Sequence, residues 1–351
     1  MTTSPQQPLP PIAISMGDPA GIGPEMALAA WALSASADLP PFFVVGSRAV
    51  LAAAAIARGL HIPIVAIAAP DEAAAVFETA LPVIDLGDLA YTPGEPDDAG
   101  AAMALRALEL ATGLVRNGAA SALVTGPVAK SRLARVGFSH PGQTEFVAHA
   151  CGIAPENAVM MLAGPSLRVV PVTVHVALHS VAGLLTAALI ENRAAITAAA
   201  LQRDFGVANP RLAVAGLNPH AGEEGRMGHE DADVIVPAVA ALRAAGIDAT
   251  GPLPADTMFH VQARATYDVA ICMYHDQALI PIKALDFDEG VNVTLGLPII
   301  RTSPDHGTAF NIAGTGTARP GATIAAIRMA GECAARRAAN PLPDTMPDML
   351  A

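Results

Sequence analysis

Short apolar runs separated by stretches of helical length recur along the whole chain, and this alternation constrains the fold more than any other feature. The runs Ile12–Met16, Phe42–Gly46, Ile64–Ile67, Val83–Asp85, Ser121–Thr125, Ala158–Leu162, Leu167–Val174, Leu212–Gly216 and Thr266–Met273 have the length and flanks of buried strands. Between them the pattern predicts helices from Pro24 to about Ser34, over Ser47–Gly59, over Thr186–Phe205 and over Asp231–Ala245. Another starts from an N-cap at Asp97 or Asp98 and runs to Asn117, with Gly118 closing it. Strands alternating with helices over such a length predict an α/β fold of α/β/α layers around a largely parallel sheet. An antiparallel arm stays compatible with the same pattern.

Composition narrows what such a fold can do. At 351 residues, 52% hydrophobic and only 15% charged, the chain can bury a sizeable core as one large or two ordinary domains. Its apolar content is alanine-driven and interrupted too often for a membrane span. A formal net charge of −12 and 4% aromatic residues speak against nucleic acid, which needs basic patches and stacking platforms. An anionic ligand must then be held by a few local cations against the overall field. Cys151, Cys272 and Cys333 lie far apart with no CxxC pair, as in reduced thiols of a cytoplasmic protein. Residues 1–11 (MTTSPQQPLPP) read as a loose polar tail with no basic or apolar leader region.

Polar residues concentrate between Asp268 and Gly321. The apolar run Val269–Met273 ends on Tyr274, His275, Asp276 and Gln277, and Lys283, Asn292 and Arg301 follow along loops and short strands. Polar side chains set in an otherwise apolar chain suggest a site, with ordinary solvated loops as the bland alternative. His175 and His220 share the context of His275, each just past an apolar run. Ligands bind at the carboxyl ends of strands in open α/β sheets, so three imidazoles there form a plausible face for a divalent cation. Structurally satisfied histidines would fit the same context. Neutral nitrogen ligands suit zinc, cobalt, nickel or iron better than magnesium. Gly17–Glu25 is a glycine-rich turn from strand to helix but carries neither GxGxxG nor GK[ST], so it implies only a tight turn.

Two resemblances rest on these stretches. His306-Gly307-Thr308-Ala309, Ile312-Ala313-Gly314 and Ala318-Arg319-Pro320 are similar to the adenosine-binding loop of the isopropylmalate and isocitrate dehydrogenases. Ser15–Glu25, Thr125–Val128, Leu217–Glu223, Gly251–Thr257, Tyr274–Gln277 and Gly290–Pro298 resemble, in order along nearly the whole chain, the 4-hydroxythreonine-4-phosphate dehydrogenase family of vitamin B6 synthesis. The resemblance implies two α/β/α domains of the isocitrate/isopropylmalate dehydrogenase-like type with an interdomain cleft. The first would combine 1–128 with 300–351 and the second would span 129–299. It implies oxidation of a secondary alcohol, 4-phosphooxy-L-threonine, by NAD or NADP, with loss of carbon dioxide from the β-keto acid.

The roles it implies fall on particular residues. His175, His220 and His275 match the metal ligands, with zinc first and cobalt or magnesium as alternatives, and Asp256 matches an acid at the same site. Lys283 and Asp256 are the catalytic candidates. Gln143, Thr144, Lys283, Asn292 and Arg301 match the contacts to a small phosphorylated hydroxy acid. His306, Gly307, Thr308, Ala309, Ile312, Ala313 and Gly314 would bind the nucleotide. A homodimer with the site at the subunit interface, in the cytoplasm and without nucleic-acid or membrane partners, completes the expectation. One position departs: the family usually carries histidine where Gln143 stands, and glutamine cannot become cationic. His140, three residues earlier, could compensate; His149 reads as surface or packing, and His179 and His229 as peripheral. Two other readings therefore stand beside the first. One is a dehydrogenase of the same fold acting on a phosphorylated threonate or erythronate, or on a cyclic diol carboxylate. The other is a non-catalytic metal- and phosphate-binding protein.

Overall fold

All nine apolar runs form strands, and three further strands join them. In chain order they are β1 (Ile12–Ser15), β2 (Phe42–Gly46), β3 (Ile64–Ala66), β4 (Leu81–Asp85), β5 (Leu123–Thr125) and β6 (Val159–Ala163). They continue with β7 (Arg168–Thr173), β8 (Arg211–Ala215), β9 (Asp248–Leu253), β10 (Val269–Tyr274), β11 (Val291–Leu295) and β12 (Arg301–Pro304). The computed structural model describes residues 8–340; most of the expected N-terminal tail and the last residues of the chain lie outside them.

The chain divides into two units. The first takes the residues up to Ile153 with Leu297–Ala335, and the second takes Ala154–Gly296 with the chain from Arg336 on. Residues 129–153, which a boundary at 128/129 assigns to the second domain, fall in the first unit. The helix Lys130–Arg135 reaches back there, Arg135 donating to Asp98 at 3.0 Å.

In the first unit six strands run in the order β3-β4-β2-β1-β5-β12. Every neighbouring pair is parallel. β1 and β2 are buried along their whole length, as strands covered on both faces must be. The helices that cover them begin where the sequence provides caps. The Ser47 hydroxyl accepts from the Val50 amide at 3.3 Å, and the Asp97 carboxylate accepts from the Gly100 amide at 2.7 Å.

The second unit has the order β11-β6-β7-β10-β8-β9. From β7 onward the neighbours are parallel, whereas β6 pairs antiparallel with both β7 and β11, the arm left open by the alternation pattern. β9 (DATGPL) escapes sequence reading because glycine and proline interrupt it. It lies at the end of the strand order, where a missing donor is tolerated. The helix Ala187–Phe205 starts on Thr186, whose hydroxyl accepts from Leu189, and stops at Gly206 in the left-handed region, φ 70°. Among the described residues no single helix is long and apolar enough to cross a membrane.

Charge burial holds the second unit's C-terminal segment. Asp204, 4% exposed, accepts from the Arg203 guanidinium at 2.8 Å and from Arg337 at 2.8 and 2.9 Å. Burial alone would push its pKa up, but the two guanidiniums outweigh it and hold the carboxyl below the usual range. The stability this contributes is present above the ordinary carboxylate pKa and is lost as pH falls through the lowered one. Arg337→Met should destabilise the protein by about 1–3 kcal/mol, less than a fully broken buried pair because Arg203 remains. Urea unfolding at neutral pH measures the loss, and at acidic pH, where Asp204 takes up its proton, the difference between the two proteins should shrink.

Candidate functional site

The second unit brings four candidate residues to one edge. β7, β10, β8 and β9 are consecutive parallel neighbours, so their carboxyl ends lie side by side. His175 follows β7, His275 follows β10, His220 follows β8 and Asp256 follows β9. Because Tyr274 registers with Thr173, the His175 and His275 rings come within 5.7 Å between centroids, tilted by 42°. The Thr173 hydroxyl donates to the Met273 carbonyl at 2.8 Å and locks the two strands just ahead of both rings.

Two residues to which the sequence reading gave no role of their own hold this edge together. Gln277, 8% exposed, accepts from the Met273 amide at 2.6 Å and donates to the Gly216 carbonyl at 2.8 Å, tying the end of β10 to the end of β8. Asp231, 2% exposed, accepts from the Leu217 and Asn218 amides at 2.8 and 3.2 Å and from Asn218 Nδ2 at 2.9 Å. These bonds fix the base of the turn that carries His220. In sequence Gln277 belongs to the polar group Tyr274–Gln277 and Asp231 opens the expected helix Asp231–Ala245, and neither position announces the bonds it makes.

That turn is unusual. His220, Ala221, Glu223 and Glu224 have φ values of 52°, 51°, 42° and 57°, and Gly222 stands among them at 80°. His175 shares the left-handed region at φ 48°. Each non-glycine residue there costs roughly 1–2 kcal/mol, and such outliers cluster where function needs the geometry.

As a metal set these residues fit in chemistry. Imidazole nitrogens suit a borderline divalent cation. His275 Nδ1 lies 2.7 Å from Asp276 Oδ1, a carboxylate that fixes the proton on Nδ1 and leaves Nε2 as a lone-pair donor. Among the described residues, however, no three His, Cys, Asp or Glu side chains converge closely enough to hold an ion.

Lys283 departs from expectation. It lies not in a loop but in the last turn of the helix His275–Leu285, exposed. Pro281 inside that helix obscures it in the sequence; burial of Ala278, Leu279 and Ile282 outweighs the lost backbone bond. Asn292 is on β11, and its Oδ1 is buried with no hydrogen-bond partner.

The first unit holds the other cation. Arg301, 3% exposed on β12, donates to Thr125 Oγ1 at 2.7 Å and to Thr144 Oγ1 at 3.3 Å. Burial pushes its pKa down to about 10, still charged at neutral pH. Thr144 belongs to the first turn of the helix Gln143–Ala150, whose free amides favour an anion. Gln143 Nε2 donates to the Gly126 carbonyl at 3.2 Å, and its Oε1 is buried without a partner. This amide therefore presents an acceptor. The His140 ring lies among Phe138, Phe146 and His149, at 5.5, 5.5 and 5.1 Å between centroids.

The segment from His306 to Gly314 folds against the Gly17–Glu25 turn. Ile22 donates its amide to the Thr308 carbonyl at 3.0 Å, and Ile22, Met26 and Ala313 form a small apolar cluster with Ala309, Ile312 and Ala318. Ala309 has φ 46°. His306 Nδ1 stands 3.1 Å from the Gly307 carbonyl and so carries the proton, while Nε2 is buried with no partner. Burial lowers the His306 pKa from 6.5. Below pH 6.5 the unfolded chain takes up a proton that the folded chain refuses, so stability falls as pH drops from there toward the lowered value. His306→Gln should therefore lose less stability than the parent chain on acidification from about pH 7 to about pH 5, a difference that urea unfolding at the two pH values measures.

Comparison with known proteins bears on the family and the fold. Residues 38–330 match the model of the family described as pyridoxal phosphate biosynthetic protein PdxA. A 4-hydroxythreonine-4-phosphate dehydrogenase of Erythrobacter litoralis is 61% identical over 332 residues, covering 95% of this chain and 99% of the relative. The crystal structure of a 4-hydroxythreonine-4-phosphate dehydrogenase from Klebsiella pneumoniae superimposes with a TM-score of 0.83 at 38% identity, covering 94% and 99% of the two chains. A terephthalate 1,2-cis-dihydrodiol dehydrogenase from Burkholderia xenovorans shares the fold more distantly, with a TM-score of 0.63 at 30% identity, covering 93% and 98%.

Proposed function

The chain belongs to the 4-hydroxythreonine-4-phosphate dehydrogenase family, an oxidoreductase family of pyridoxal phosphate biosynthesis, and on that premise we propose that it oxidises 4-phosphooxy-L-threonine with NAD or NADP. The product, after loss of carbon dioxide, is 3-amino-2-oxopropyl phosphate. The observation that carries the reading is the edge formed by β7, β10, β8 and β9, where His175, His275, His220 and Asp256 are delivered by four adjacent strands.

When bound, a divalent ion would acidify the alcohol and polarise the new carbonyl, and the nicotinamide would accept the hydride. His175, His220 and His275 are the residues to hold the ion, zinc by donor type with cobalt or magnesium as alternatives. Asp256 adds a carboxylate at the same edge, exposed and able to take a proton. Arg301 and Thr144 would supply donors to the phosphate, and the family resemblance implies Lys283 and Asn292 as further substrate-binding residues. His306–Gly314 takes the adenosine side of the cofactor, with the neutral His306 Nε2 as an acceptor. A cytoplasmic homodimer whose neighbouring subunit completes the site follows from the family reading.

Gln143 favours a second reading. With Nε2 committed to the Gly126 carbonyl, it offers an acceptor where a fully ionised phosphate needs a donor. A different hydroxy acid, phosphorylated threonate or erythronate or a cyclic diol carboxylate, is the alternative substrate.

NADH formation with 4-phosphooxy-L-threonine, followed by its absorbance with and without a chelator, separates these readings. Turnover that disappears with chelator and returns with zinc or cobalt is expected, and no turnover with any metal sinks the first reading. His275→Ala should lose bound metal and activity together, as removal of one donor leaves a poorly closed site. Lys283→Ala should keep its metal and raise the apparent substrate constant about 10- to 100-fold, the size of one lost charged hydrogen bond. His149→Ala should be near neutral, since its ring touches only His140 among the aromatic contacts.

A further inference from the structure

The glycine-rich turn Gly17–Glu25 carries no phosphate-binding signature, yet it places a carboxylate where a solvated surface residue would not survive. The Glu25 side chain is completely buried. One of its oxygens accepts from the Gly314 backbone amide and the other pairs with the Arg58 guanidinium. Arg58 also reaches the carbonyl of Gly316 at 3.4 Å. The segment after His306 is thus gripped at two nearby glycines by one ion pair from outside it.

The surroundings leave that segment little freedom to settle elsewhere. Gly314 has φ 77°, and a β-carbon there would stand 2.8 Å from Pro93, so the backbone comes as close as glycine allows. Gly94 donates to the Ala20 carbonyl at 2.8 Å, holding the Pro93 wall against the same turn. Tyr91 is packed beside Glu25, and burial first, then the carboxylate, pushes its pKa up to about 12. Upstream, the Ile22 amide bonds to the Thr308 carbonyl at 3.0 Å. A β-carbon on Gly21 would lie 2.8 Å from that oxygen. The turn is shaped to the segment along its length, and its buried Glu25 charge faces the segment's backbone.

We propose that Glu25 and Arg58 are positioning residues for the nucleotide: their ion pair fixes the His306–Gly316 segment in its binding conformation without touching the cofactor. The inference rests on the reading of that segment as the adenosine site. An ionised carboxylate has about four lone-pair sites and makes charge-assisted bonds of roughly twice ordinary strength. Removing it leaves the Gly314 amide and the Arg58 guanidinium to find water, and the segment samples other conformations. Apparent affinity then falls in proportion to the fraction of molecules with the segment in place.

The test uses the full-length enzyme loaded with metal. Glu25→Gln and Arg58→Met should raise the Kd for NADH, read from its fluorescence, and the KM for NAD about tenfold or more, corresponding to an ordered fraction near one tenth. The KM for the hydroxy acid should stay within about twofold, and kcat at saturating NAD should change little, because bound nucleotide reorders the segment. Arg58→Lys, which keeps the charge without the fork, should recover part of the loss. Unchanged NADH affinity in folded Arg58→Met, or equal losses toward both substrates, would overturn the proposal; Arg58 is partly exposed, so this variant serves if Glu25→Gln does not fold. His306→Ala and Ile312→Ala give the separate check on the underlying reading. NADH binding that responds to these two but not to Arg58→Met removes the positioning role alone. NADH binding that ignores all of them removes the nucleotide segment and the proposal with it.

Discussion

Parallel pairing of β10 between β7 and β8 is the constraint on which the site depends. Parallel strands end on the same side of a sheet, so whatever follows each strand is delivered to one edge. The register is as important as the order. Tyr274 stands opposite Thr173, which brings the His275 and His175 rings within contact. β10 is buried on both faces from Val269 to Met273, so a slip of one residue would exchange the side chains of its two faces and spoil the packing of both layers. The interior of β10 and its neighbours therefore protects the geometry of the edge, and Gln277 and Thr173 carry that rigidity to the strand ends.

The chain as a whole is strongly acidic, so its cations act locally. Arg301 is buried on a strand and directed by two threonine hydroxyls, while Arg58 and Arg337 are each committed to a buried carboxylate. These are costly arrangements, because every charge leaves water. They persist where the partner is held equally firmly: Asp204 between two guanidiniums, Glu25 between a guanidinium and a backbone amide. The effect is to fix short stretches of backbone. Asp231 does the same without a cation, using its two oxygens to bind the amides at the base of the His220 turn.

Backbone strain marks the same places. Among the described residues, those outside glycine in the left-handed region are His175, the run around His220, Ala309 and, apart from these, Asp38. Most of them thus fall at the edge that carries the histidines or in the segment from His306 to Gly314. A turn forced into this region presents its side chain in a direction that ordinary turns do not reach, and the surrounding hydrogen bonds supply what the strain costs. Kinship with dehydrogenases of known structure agrees with a fold shared in outline, while the orientation of the Gln143 amide is set by a single carbonyl, that of Gly126.

The alternation of apolar runs with helical stretches was legible in the chain alone, because burial on both faces of a parallel sheet demands continuous hydrophobic strands; every run so identified is a strand. The caps at Ser47, Asp97 and Thr186 were equally local, each a side chain satisfying an amide three residues on. The candidate residues could be named from motifs, but their neighbourhood could not. Strand order is set by packing between segments far apart in the chain, which no local pattern encodes, and only that order makes neighbours of His175, His275, His220 and Asp256. The helix carrying Lys283 was hidden by Pro281, whose local penalty is outweighed by buried side chains beneath it. Glu25 and Gln277 stood in motifs and Asp231 at an expected helix start, but their roles were not legible; tertiary structure alone decided that their oxygens are buried, because the partners they serve arrive from other parts of the chain.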